Sequence, residues 1–160
     1  MSQVSPSLPQ AFSAATGAAP STAERLLATI ECEQLSVSYG YFLDFVDADA
    51  LADLFEEKAV WKTSTQTYNG REAIHNFWAS QKARPYQTRH IITNTRVMVS
   101  DADHASGTAY LTMYRYDPAH PETIKLEPVS IGVFQDEYVR TADGWRFHSR
   151  KLETVRPTSK

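Results

Sequence analysis

Apolar positions recur first at helical and then at alternating spacing along this chain. Over residues 24–46, "ERLLATIECEQLSVSYGYFLDFV" carries Leu26, Leu27, Ile30, Val37 and Tyr41 at roughly helical intervals. Ser21 and Glu24 stand in front as a capping box, so a helix is predicted from there. "DADALADLF" follows as a short second helix, with Asp47 or Asp49 as its cap. "KAVWKTS" is β-branched and aromatic and reads as a strand. "NGREAIHNFWASQKA" opens on a turn pair and continues as a third helix, with Ile74, Phe77 and Trp78 as its apolar stripe. After Pro85 the spacing changes. "TRHIITNTRVMVS", "HASGTAYLTMYRY", "VSIGVFQDEYVRT" and "GWRFHSRKLETV" are strand-like, with "SDADH" and "TADG" as tight turns. Helices followed by a long antiparallel sheet predict an α+β domain. The sheet is expected to curve over the helices with a pocket between, approaching an α+β barrel.

Composition narrows the function. The 160 residues suffice for one domain with a sizeable core, expected over residues 21–156. Residues 1–20, uncharged apart from the terminus and rich in Ser, Ala and Pro, read as a flexible arm, and 157–160 as a short tail. Sixteen basic and 19 acidic residues leave a net charge of −3 and no basic run, which argues against a nucleic-acid partner. The single cysteine, Cys32, excludes an intrachain disulfide and reads as a buried apolar residue. No Cys/His spacing fits zinc, so no metal is expected. No apolar run approaches the ~20 residues of a membrane span, and the N-terminus lacks a signal-peptide pattern. The default location is cytoplasmic. At 11% aromatic, the chain can wall a pocket for an apolar small molecule.

Two residues stand out as a possible pair. An aspartate near a helix end, as Asp44 is, more often caps or faces solvent, and a strand histidine such as His90 is more often a hydrogen-bonded rim or core residue. Together they have a use. A carboxylate accepting from one ring nitrogen fixes the tautomer and leaves the other nitrogen as a base. Strand alternation puts Ile92 and Asn94 on the face of His90. In the last strand it puts Arg146, His148 and Arg150 on one face, opposite Trp145 and Phe147. That charged face is either exposed or lines a cavity, and a β-bulge would shift the parity. Tyr39 and Asp44 lie about 140° apart on an ideal helix.

"YGYFLDFVDADALADLFEEKAVW", "GREAIHNFW", "RHIITN" and "DEYVRTADGWRFHSR", in this order, resemble the nuclear-transport-factor-2-like superfamily, and within it the SnoaL-like group. That group includes scytalone dehydratase, hexachlorocyclohexane dehydrochlorinase and bile-acid 7-alpha-dehydratase. The resemblance implies a cone-shaped, cystatin-like α+β fold. It implies catalytic roles for Asp44, His90, Tyr39 and Arg150, which fall on the group's aspartate, histidine, tyrosine and arginine. There are departures. The strand after His90 has no second histidine, and Thr63 stands where the ketosteroid isomerases keep a carboxylate. The implied activity is a cofactor-independent, dehydratase-like lyase acting on a small or medium, largely apolar cyclic substrate. Asn94, His148, Trp61 and Phe134 are the candidate substrate contacts. An isomerase or cyclase of polyketide- or steroid-like substrates remains open. So does a non-catalytic binding or assembly module, like the small subunit of ring-hydroxylating dioxygenases. The apolar outer side of the sheet points to a homo-oligomer, a trimer or dimer by resemblance.

Overall fold

Ser21 starts the first helix. Its Oγ accepts from the Glu24 N–H at 3.3 Å, while the Glu24 carboxylate accepts from the Ser21 N–H at 2.8 Å. This reciprocal cap satisfies donors that the first turn leaves without partners. The computed structural model describes residues 19–125 and 127–155. All but the last two residues of the expected arm, and the C-terminal tail, lie outside that range.

α1 (Thr22–Phe45) ends on Val46, a left-handed residue whose N–H bonds back to Leu43 and Phe42. α2 (Ala48–Asp53) is capped by Asp47, which accepts from the Ala50 N–H at 3.1 Å. β1 (Phe55–Lys62), β2 (Thr67–Asn69) and α3 (Arg71–Ser80) follow. Then come β3 (Gln87–Val99), β4 (His104–Tyr116), β5 (Ser130–Thr141) and β6 (Gly144–Thr154). The three-residue β2 was not expected from the sequence.

The apolar recurrence in α1 points the wrong way. Leu26, Leu27, Ile30, Val37 and Tyr41 are exposed. The buried face carries Ala28, Cys32, Ser36 and Gly40, four residues apart, with Leu35, Tyr39 and Leu43 beside them. Size decides here rather than hydrophobicity. Small side chains let the helix lie close against β3. A Cβ on Gly40 would stand 3.3 Å from the His90 carbonyl oxygen and 3.3 Å from Ile92 Cδ1.

The sheet order is β2-β1-β6-β5-β4-β3. The β1–β6 pair is parallel and the other pairs are antiparallel. The sheet is curved but open, because β2 and β3 remain edges, so the expected barrel does not close. Two irregularities set which residues face α1. In β3 an extra residue lies between the Thr93–Tyr110 and Arg96–Thr108 pairs, and Asn94 takes the left-handed φ of 52° there. In β6 an extra residue, His148, lies between the Phe147–Tyr138 and Ser149–Glu137 pairs. Tyr39, Phe55, Trp61, Phe134, Tyr138 and Phe147 lead the core between α1 and the sheet. Among the described residues, no helix is long and apolar enough to cross a membrane.

Candidate functional site

Asp44 sits in the last turn of α1, and His90 near the start of β3. Gly40 brings the two elements close enough for them to meet. His90 Nδ1 lies 2.7 Å from Asp44 Oδ1. The His90 backbone N–H donates to the same carboxylate, at 3.2 and 3.1 Å to its two oxygens. Thr88 adds its hydroxyl at 3.2 Å. Arg84 donates to the Thr88 Oγ1 at 3.0 Å and to the Leu43 carbonyl at 3.2 Å. The two side chains of the pair are 6% and 10% exposed, for His90 and Asp44 respectively. With three donors turned on it, Asp44 acts as an acceptor. The tautomer that satisfies it carries hydrogen on Nδ1. His90 Nε2 then holds a lone pair and has no hydrogen-bond partner among the described residues.

Arg150 lies deeper. The extra residue in β6 moves it off the face of Arg146 and His148 and onto that of Trp145 and Phe147. The face read from strict alternation is therefore corrected, for the reason that a bulge supplies. Arg150 is fully buried. Its guanidinium carbon stands 4.1 Å from the ring centre of Tyr39, 3.9 Å from that of Phe134 and 4.5 Å from that of Phe147. Asp136, also fully buried, is its counter-charge at 3.5 Å. The Tyr138 hydroxyl donates to the other oxygen of Asp136 at 3.1 Å. Burial pushes the Asp136 carboxyl up to about 6, while Arg150 and the Tyr138 hydroxyl pull the other way. Among the described residues, all three guanidinium nitrogens lack a hydrogen-bond partner, as does the buried indole N–H of Trp78. Trp61 pairs with Arg150 across β1 and β6. This is an unusual amount of buried donor capacity, since such groups are nearly always paired.

The remaining candidates divide. Tyr39 is buried beside Arg150; burial raises its phenol well above the ordinary range, partly opposed by Arg150, so it remains a donor. Trp61 and Phe134 are in the core, against the same interior. Asn94 and His148 do not belong with them. Asn94 is exposed, because its own bulge breaks the alternation that begins at His90. His148 is the extra residue of β6; its ring is 45% exposed and bonds Glu56 at 2.5 Å. Thr88, Arg84, Asp136 and Trp78 belong to the arrangement but were not picked out from the sequence. Strand parity with His90 would have found Thr88. Nothing local in the sequence marks the other three. Among the described residues, no group of three or more His, Cys, Asp or Glu side chains is placed to hold a metal.

Residues 24–151 match the model of the SnoaL-like domain. The chain belongs to the SnoaL-like family. No match was found among curated proteins. Solved structures share the SnoaL-like fold, which other neighbours describe as NTF2-like and cystatin-like. One is a variant of Rv3472, a protein of unknown function from Mycobacterium tuberculosis. It has a TM-score of 0.75 and 22% identity, over 88% of this chain and 79% of that one. A putative scytalone dehydratase from Novosphingobium aromaticivorans has a TM-score of 0.71 and 21% identity, over 85% of this chain and 89% of that one. A hexachlorocyclohexane dehydrochlorinase (LinA) type 2 has a TM-score of 0.70 and 20% identity, over 84% and 89%.

Proposed function

We propose that this SnoaL-like protein is a cofactor-independent lyase of the dehydratase type, acting on a small or medium, largely apolar cyclic molecule. The observation that carries the reading is the 2.7 Å contact between His90 Nδ1 and Asp44 Oδ1, with Nε2 left without a partner among the described residues. Nε2 takes a proton from a carbon next to a carbonyl. The electron pair forms the C=C bond and the C–O bond breaks. The departing hydroxyl takes a proton and leaves as water. Asp44 stabilises the imidazolium in between, and a base positioned this way contributes ~10² to 10⁴ in rate. Tyr39 hydrogen-bonds the carbonyl or protonates the leaving oxygen. Arg150 stabilises the negative charge that develops, and its unused donors support that role. Trp61 and Phe134 wall the interior.

The test is turnover of cyclic β-hydroxy carbonyl compounds, read as loss of the mass of water. His90→Ala is expected to abolish it with an unchanged circular-dichroism spectrum; full activity in that variant overturns the reading. An isomerase or cyclase uses the same pair, and an unchanged product mass identifies it. The close packing of Tyr39, Phe134 and Phe147 around Arg150 favours a second reading, a ligand-binding or assembly module. Under that reading ligands bind without turnover. The protein is further proposed to be a cytoplasmic homo-oligomer, trimeric or dimeric. Its apolar residues exposed on α1 and on the outer sheet face, such as Tyr110 and Ile131, support self-association.

A further inference from the structure

Beside the pair, on the outer side of Asp44, a cleft of about 220 Å³ is lined by Lys82, Arg84, Tyr86 and Arg89 together with Asp44 itself. It is smaller than the roughly 300 Å³ at which whole-ligand pockets begin, so it suits one end of a molecule. Its charge is unusual for this chain. The protein carries a net −3, yet three cations meet here against one carboxylate, a local balance of +2 on unit charges. That carboxylate is already turned to His90 and Thr88. Among the described residues, none of the three cations has an ion-pair partner.

Neutral oxygens hold two of them in place. Arg84 Nη2 donates to the Leu43 carbonyl and the Thr88 hydroxyl. Arg89 Nη1 donates to the Thr88 carbonyl at 2.7 Å. The Arg89 guanidinium also lies 5.9 Å from the Phe45 ring centre and 5.4 Å from that of Tyr116. The Tyr86 ring is flanked by Arg84 at 5.3 Å and by Arg115 at 4.2 Å. Guanidiniums fixed by carbonyls and rings keep their charge and spare donors for a ligand, with little side-chain entropy left to lose on binding.

We propose that this cleft is a binding site for an oxyanion, a carboxylate or phosphate group, and that it holds the anionic end of the molecule presented to His90. The second half of that statement rests on the function proposed above; oxyanion binding by the cleft does not.

The experiment is a ¹H–¹⁵N titration of the full chain with inorganic phosphate and, separately, with acetate. Saturable shifts are expected at the backbone amides of residues 82–84 and 86–89 and at the Arg84 and Arg89 side chains. The affinity is expected to fall about tenfold in Lys82→Gln and in Arg89→Gln, the loss of one charge-assisted contact. Arg89→Lys is expected to recover part of it. Stronger binding of phosphate assigns a phosphorylated end, and stronger binding of acetate a carboxylate. Shifts absent from the cleft, or unaltered by both Gln variants, overturn the proposal. The same titration on His90→Ala separates the two readings. Retained oxyanion binding with retained turnover defeats the lyase and leaves the cleft standing; lost binding in Arg89→Gln with normal turnover defeats its link to the substrate.

Discussion

The Asp44 carboxylate grips His90 twice, accepting from its backbone N–H and lying 2.7 Å from its ring Nδ1. One short stretch of helix thus fixes both the strand position and the ring orientation of the candidate base. In Asp44→Asn the amide cannot accept from every donor at once. The His90 ring is expected to lose its single tautomer, seen as mixed Nδ1–H and Nε2–H patterns in two-bond ¹⁵N spectra. Turnover, where the lyase reading holds, is expected to drop ~10² to 10⁴, chiefly in kcat. A variant spectrum identical to that of the parent contradicts the coupling.

Gly40 sets the distance between the two elements. A Cβ there would stand only 3.3 Å from the His90 carbonyl oxygen. Gly40→Ala gains about 0.5–1 kcal/mol of helix propensity and meets a tight contact, so little net change is expected. Gly40→Val is expected to cost about 1–3 kcal/mol by overpacking and to disturb the His90–Asp44 pair. Denaturant midpoints and the ring tautomer measure the two effects separately. A Gly40→Val variant as stable as the parent contradicts the close approach.

Asp136 supplies a pH dependence with a definite sign. Its folded-state value of about 6 lies above the ordinary 3.8. Its contribution to stability is therefore full below about pH 4 and is lost as the pH rises through about 6. The unfolding free energy of the parent minus that of Asp136→Asn is expected to decline across that window, by something on the order of 3 kcal/mol. A difference that stays flat from pH 4 to 7 counts against it.

Arg150 and Asp136 are expected to be coupled. Removing either alone leaves a buried charge without its partner, at a cost of about 3–5 kcal/mol. Arg150→Met combined with Asp136→Leu is expected to recover much of that loss, so a double-mutant cycle by urea denaturation reads a large interaction term. Additive single effects contradict the pairing.

The outer face of α1 is expected to hold copies together. Val37, Tyr41 and Phe45 are each about 60% exposed along one side of the helix. Val37→Lys with Tyr41→Lys is expected to shift the protein towards monomer in sedimentation equilibrium while leaving the circular-dichroism spectrum unchanged. An unchanged oligomer moves the interface elsewhere.

Much of the architecture was legible because it rests on local signals. The Ser21–Glu24 box, the Asp47 cap and the four long strands follow from residue chemistry and spacing over a few positions. The Asp44–His90 proximity was suggested by resemblance and needed the fold to realise it. Three features escaped a reading by hydrophobicity and parity. The buried side of α1 is marked by small residues, which an apolar count passes over. Asn94 and His148 interrupt their strands, so counting in twos fails beyond them. The cationic cleft draws on the turn after α3, the start of β3 and the end of α1, which only the tertiary structure brings together.

The extra residue at His148 has a consequence for comparing this chain with its relatives. It acts as a phase marker within β6. Residues before it are addressed to the interior by one parity, and residues after it by the other. Pairing the strand at its full length but without the bulge would present Ser149 and Lys151 to the interior in place of Arg150, without altering any residue's chemistry. A relative with its arginine three residues after the matching phenylalanine but no bulge would carry it on the outside. What is inherited with this interior cation is therefore a spacing and its bulge as much as an amino acid.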